Sequence, residues 1–279
     1  MSRTFASTAA LNPIVEGCES WLRLALASLF CFVLGGSVAH AGDPNAEKLE
    51  RIPSPEESLA AMTVAEGYEI QLFASEVSAP LFNPMSMAFD AEGRLWVITS
   101  PTYPHYDPGV PPSDKILIFE DTDGDGVADR HTIFADQLYI PTGILPDVNG
   151  GCWVGQQPNL WYMQDTDGDL VADRREVVLH GFGTEDSHHS ISAFTWGPDG
   201  AFYFNEGVFH HTQVETPYGP IRARDAAVFR YHPGRQRFTV SSHRRYNNPW
   251  GHAFDRWGQS VLSDASGGRH FNFAHVIPA

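Results

Sequence analysis

The sequence predicts an all-β fold, a β-propeller built from four-stranded blades of about 50 residues. Two observations carry this. From Tyr68 onward, short aliphatic and aromatic runs alternate with clusters of Gly, Pro, Asp and Asn, and no helical period reaches three turns. A turn feeding a strand also recurs, at Ala88–Val97, Leu145–Val154, Thr195–Phe204 and Ala253–Leu262. Gly93, Gly151, Gly200 and Gly258 mark these turns, where a tight strand reversal needs a positive φ. A β-sandwich with chance similarities is the alternative.

Taken in order, the chain opens with an apolar run, Leu24–Ala39, just after Arg23 and ahead of the small-x-small site Ala39-His-Ala41. Residues 1–41 therefore read as a signal peptide, or otherwise as a retained anchor, and the protein as periplasmic or secreted, or else membrane-associated. Residues 42–64 are a polar linker with a short helical stretch at Glu56–Met62, and residues 65–279 form the propeller. The third strands of successive blades fall at Ile116–Glu120, Leu160–Gln164 and Val228–Tyr231. The outer strands fall at His131–Ala135, Arg175–His180 and Arg237–Ser241. About four blades are present, which suits a truncated six-bladed ring; Tyr68–Ser75 would be an outer strand closing it.

Two acidic stretches repeat almost unchanged, Asp121–Asp129 and Asp165–Asp173. Asp121, Asp123, Asp125 and Asp129 in one, and Asp165, Asp167, Asp169 and Asp173 in the other, have the spacing of the first part of a calcium loop. Gly126 stands at the sharp turn of the first copy and Leu170 in the second. Glu176 is the candidate bidentate ligand of the second copy, where the first has Thr132. These loops would join the third and outer strands, on the face opposite the long loops. Calcium or a similar cation is the expected occupant, and a solvated polar turn is the alternative.

With 34 acidic and 18 basic residues, the net charge is −16, which argues against nucleic acid as a partner. Cleavage after Ala41 would leave Cys152 alone, a small core residue rather than part of a disulfide. The recurring tryptophans read as packing between blades.

The stretch His189–Phe204, with Gly-Pro-Asp-Gly at 197–200, resembles the segment of soluble quinoprotein glucose/sorbosone dehydrogenases that follows a catalytic His. Over nearly all of residues 65–270 the chain is similar to the N-terminal propeller of the membrane-bound dehydrogenase family, the PVC-type haem-binding proteins. The Asp-Thr-Asp-Gly-Asp loops, Pro158–Trp161, Gly181–Asp186, Trp196–Gly200 and Asn248–His252 carry that likeness. The resemblance implies oxidation of a sugar or other alcohol, with pyrroloquinoline quinone and calcium as cofactors. His189 would be the general base, and Arg222, Arg224, Arg244, Arg245 and His252 would be candidate cofactor contacts. It also implies a cytochrome c module as partner. No Cys-x-x-Cys-His occurs in these residues, so a haem c would belong to a further C-terminal module. Ser190-Ile191 replaces the small glycine pair of the quinoproteins, a bulkier pair where a cofactor must approach. A transition-metal site drawn from His188, His189, His210, His211 and His252 is another option. The runner-up function is a non-catalytic propeller that binds carbohydrate or a protein partner.

Overall fold

Antiparallel sheets of four, four, four and three strands follow one another along the chain, with a two-stranded ribbon set into the third. The computed structural model describes residues 52–105, 107–242 and 246–266, and the backbone of 269–273. The expected signal peptide, Arg244 and Arg245 lie outside the described residues. By internal contacts the chain divides into Met1–Pro53 and Ser54–Ala279, and every described strand lies in the second unit.

A short helix, α1 (Pro55–Ala60), opens the second unit behind a capping box between Ser54 and Glu57. The first sheet is β1 (Pro84–Phe89), β2 (Leu95–Thr99), β3 (Asp114–Glu120) and β4 (Arg130–Leu138). The second is β5 (Gly143–Pro146), β6 (Gly151–Gln156), β7 (Asn159–Gln164) and β8 (Arg174–His180). The third runs β9 (Ser192–Trp196), β10 (Phe202–Glu206), β13 (Ala227–His232) and β14 (Arg237–Ser242). Its inserted ribbon is β11 (His211–Val214) with β12 (Ile221–Arg224). The fourth holds β15 (Gly251–Phe254), β16 (Ser260–Asp264) and β17 (Arg269–Phe273).

Within each sheet sequential strands pair, and the first strands of neighbouring sheets meet: β1 with β5, β5 with β9, and β9 with β15. First strands gathered along one axis, with outer strands splayed away, make a β-propeller with about four blades. The first turns share a turn glycine, and three of the four share an aspartate cap; the third blade has Gly197 at the cap position. Asp90, Asp147 and Asp255 each accept backbone N–H groups two and four residues on, and Gly93, Gly150, Gly200 and Gly258 take positive φ. In the second blade the turn glycine is Gly150; Gly151, expected in that role, already belongs to β6.

The core lies between blades. One apolar cluster joins Trp153 and Leu160 of the second blade to Phe202, Phe204 and Phe229 of the third, and another joins Ile98 and Ile116 to Val154 and Met163. Aromatic and β-branched residues suit such faces because flat sheets need large side chains to fill the gap between them. Trp96 and Trp153 are buried there as expected, but Trp257 is exposed beneath the Arg256 guanidinium, and Trp196 is partly exposed. Cys152 is buried, and burial pushes its thiol far up.

Two further expectations fail. Tyr68–Ser75 is not a strand; Phe73 and Ala74 instead pack in an apolar cluster with Leu117 and Phe119. The long loop between β10 and β13 contains the β11–β12 ribbon, which polar composition had hidden.

Candidate functional site at the rim

The link from β8 to β9 carries His189 into a short 3-10 turn, Ser187–His189. Asp186 caps this turn: one carboxylate oxygen accepts the His188 backbone N–H at 2.9 Å, and the other faces His189 Nδ1 at 3.0 Å. A carboxylate at Nδ1 fixes the proton there and leaves the lone pair on Nε2. Nε2 meets the carboxamide of Asn248, whose far side bonds Ser266 Oγ at 2.7 Å. Ser266 can donate as well as accept. The structure places Asn248 Oδ1 against Nε2 and has Nδ2 donate to Ser266; turning the carboxamide puts its NH2 on Nε2 instead, and in either form Asn248 occupies Nε2. Asn248 is itself held from below, since the backbone N–H groups of Asn247 and Asn248 donate to Asp264.

Gly207 has to be small. A Cβ there would lie 2.7 Å from the His189 ring, while its N–H donates to the His189 carbonyl at 2.9 Å. Ile191, expected to crowd a cofactor, is turned into the core between blades, and Ser190 donates to Gln157. His188 points the other way, bonding Tyr103 from the first blade's long loop and approaching Trp250 at 5.8 Å between ring centres.

The ring of His189 opens onto a cavity of about 600 Å3 lined by His189, Val208, Phe209, Asp225, Asn247 and Asn248. Phe209 is 58% exposed, with its ring 5.5 Å from that of His189. Its φ is 77°, and Asp225 and Ala226 follow at 60° and 102°. Left-handed backbone at residues with a Cβ costs about 1–3 kcal/mol each.

Behind the cavity lies a buried polar group that sequence reasoning left unassigned. Glu206 is fully buried and accepts from Thr212, with its second oxygen unpaired; His210 is also fully buried, with Nε2 unpaired. Burial pushes the Glu206 carboxyl up to about 8; the Thr212 bond opposes this and the nearby Glu185 charge adds to it. Burial also lowers His210, against the pull of Glu185. Burial likewise acts to raise Glu185, but bonds from its own backbone, His211 and His210 outweigh it and bring the carboxyl to about 2.

The other candidates are dispersed. Arg222 and Arg224 sit on β12 around a separate cavity with His211 and Gln213. Arg222 Nε donates to Gln213, and Arg224 lies 3.5 Å from Asp225. His252 on β15 bonds Ser260 Oγ at 2.7 Å beneath Tyr203 and Phe254. Among the described residues the five histidines do not gather into a three-ligand metal site.

The acidic loops lie where the third strand turns into the outer one, beside the first turns, on the opposite face from His189: Asp165 N donates to the Gly150 carbonyl. Asp121, Asp123 and Asp129 bring oxygens within 4.8 Å of one another, as do Asp165, Asp167 and Asp169. Asp125 and Asp173 cap backbone N–H groups of their own loops, and Glu176 pairs with Arg174 on β8 rather than joining the cluster. Leu170 adopts φ 67°, matching Gly126 at 85° in the first copy. Each loop also reaches the neighbouring outer layer: Ala172 N donates to Phe134 O on β4, and Ala128 N donates to Phe73 O.

Among solved structures, the chain is similar to the holo form of the pyranose dehydrogenase PQQ domain from Coprinopsis cinerea. Identity is 15% over 71% of this chain and 49% of that one, with a TM-score of 0.49. It is also similar to a chain of the nidogen/laminin complex, at 15% identity over 70% of this chain and 61% of that one, TM-score 0.42. The chain thus spans about half to three fifths of these structures, and at these scores neither bears on function. No curated protein matches it. Residues 54–277 match the family model described as a domain of unknown function, DUF7133, and the chain belongs to that family.

Proposed function

We propose that this is an exported propeller domain whose rim cavity binds a sugar or other alcohol, and that His189 takes the proton of the substrate hydroxyl as in a quinoprotein-like dehydrogenase. The supporting observation is the Asp186–His189 pair, which orients the imidazole at the edge of the cavity; a substrate hydroxyl would take the place of Asn248 at Nε2. A separate leader would account for export; among the described residues no helix is long and apolar enough to cross a membrane.

Pyrroloquinoline quinone is a poor match to this lining. Its three carboxylates call for cations, yet the described lining has no Lys or Arg and adds the carboxylate of Asp225. Removal of the hydroxyl proton by His189 must be matched by a two-electron acceptor for the hydride, which would come from outside this lining. The anionic lining favours a second reading, a propeller that binds carbohydrate without turnover.

The protein, supplied with the quinone, calcium, aldoses and an artificial electron acceptor, separates the two readings. Under the first, the acceptor is reduced and His189→Ala lowers the rate by roughly a hundredfold or more. Sugar binding with no reduction supports the second, and an unchanged rate in His189→Ala removes His189 from the chemistry.

We also propose calcium at both acidic loops, supported by the converging oxygens and by the mutual repulsion that lets Asp169 push the Asp167 carboxyl up. At saturation, binding to the folded form alone stabilises by about 2–3 kcal/mol per site. Calcium should therefore raise the melting temperature, a chelator should reverse the rise, and Asp165→Asn with Asp121→Asn should abolish the response. A melting temperature indifferent to calcium would contradict the assignment.

A further inference from the structure

The cavity beside His189 presents one exposed aromatic ring and one carboxylate, each carried on left-handed backbone. We propose that Phe209 and Asp225 form a recognition subsite for a neutral sugar ring. Phe209 stacks on its C–H face, while Asp225, Asn247 and Asn248 bond its hydroxyls. This rests on the reading of the cavity as the ligand site.

Three observations carry it. A phenyl ring more than half exposed would ordinarily fold back onto apolar surface, yet Phe209 is held out over the cavity. Its neighbours fix it there, since Val208 N donates to Asn247 O and Asp225 N to His210 O, both at 3.1 Å. Glycine would relieve the backbone at 209, so the ring itself is what the strained position retains. The polar part of the lining is one carboxylate, two carboxamides, the His189 imidazole and Tyr246, a mixed acceptor and donor set that suits hydroxyl groups. Arg224 Nε forms an ion pair with Asp225 Oδ2 at 3.5 Å without hydrogen-bond geometry, so the carboxylate keeps lone pairs to accept from ligand hydroxyls. The described lining has no Lys or Arg, and the nearby Arg224 is already paired with Asp225, so a sugar acid finds no free counter-ion there and a neutral sugar is favoured. The volume, about 600 Å3, accommodates one or two sugar rings.

Calorimetric titration with D-glucose, D-galactose and cellobiose, against D-glucuronate, tests the subsite. Neutral sugars are expected to bind and glucuronate to bind more weakly. Phe209→Gly and Asp225→Ala should each weaken the neutral sugar about tenfold. Phe209→Gly should melt no lower than the wild type, which separates lost stacking from lost folding. Asp225→Asn, which tolerates the left-handed backbone, should narrow the discrimination against glucuronate. The proposal is overturned if no neutral sugar binds, if Phe209→Gly binds as the wild type does, or if glucuronate binds more tightly. Binding without turnover would sink the dehydrogenase reading and leave this subsite standing. Turnover with affinity unchanged in Phe209→Gly would do the reverse.

Discussion

Phe202→Ala is expected to lower the melting temperature by about 10 °C, from a cost of about 3–5 kcal/mol at roughly 2–4 °C per kcal/mol for a domain of this size. Phe202 is fully buried on β10. Its ring lies 5.0 Å from Trp153 in the preceding blade, and 5.6–5.8 Å from Phe194, Trp196, Phe204 and Tyr231. Those neighbours belong to two sheets whose spacing is set elsewhere by Leu160, Phe229 and Phe238, so the cavity left by truncation cannot close. Trp257→Ala is the control: that ring is 71% exposed and should leave the melt nearly unchanged. Equal shifts for the two variants in a calorimetric scan would contradict a core seated between blades.

The second large effect is a loss of stability with rising pH, centred on Glu206. Its carboxyl titrates at about 8 in the folded protein against an ordinary 4.5, so the folded state holds a proton that the unfolded state has released. Stability from this group is present in full below 4.5 and is lost as pH rises toward 8. His210 acts in the other direction below its ordinary 6.5, because burial favours its neutral form and its contribution grows as pH rises. The window from 6.5 to 8 therefore belongs to Glu206, and the fall there should be about 2 kcal/mol. Glu185, held near 2, loses its contribution only under acid conditions. Glu206→Gln keeps an acceptor for Thr212 and cannot ionise, so its urea midpoint should stay level across that window. A variant that falls as steeply as the wild type would show that the proton sits elsewhere.

Much of the fold was legible in the sequence, because propeller strands announce themselves through turns. Third strands at Ile116, Leu160 and Val228 and outer strands at His131, Arg175 and Arg237 begin within two residues of their expected starts; the outer strands each follow a compact Asp- or Gly-rich turn, and the third strands show as short apolar runs. The β11–β12 ribbon escaped because its outward face is His211, Gln213, Arg222 and Arg224, with little apolar alternation to mark it. The site was half legible. Asp186 stands three residues before His189, a spacing open to inspection, but Asn248 lies 59 residues away and meets Nε2 only through the fold. Nothing in the identities of Phe209 or Ala226 announces a left-handed backbone, which arises from the way the long loop is tied at both ends. Arg222 and Arg224 shared the expected rim with His189, yet the ribbon carries them to a cavity of their own.

The backward reach of each acidic loop gives the assembly a direction. Loop 165–173 anchors on Phe134 and loop 121–129 on Phe73, so every anchor precedes in sequence the loop that needs it. A chain leaving the ribosome N-terminus first offers each docking carbonyl before its donor has been made, and closure can proceed as a one-way zipper. A circular permutant opened between β4 and β5 would reverse that order at the second loop while leaving every contact of the finished molecule available.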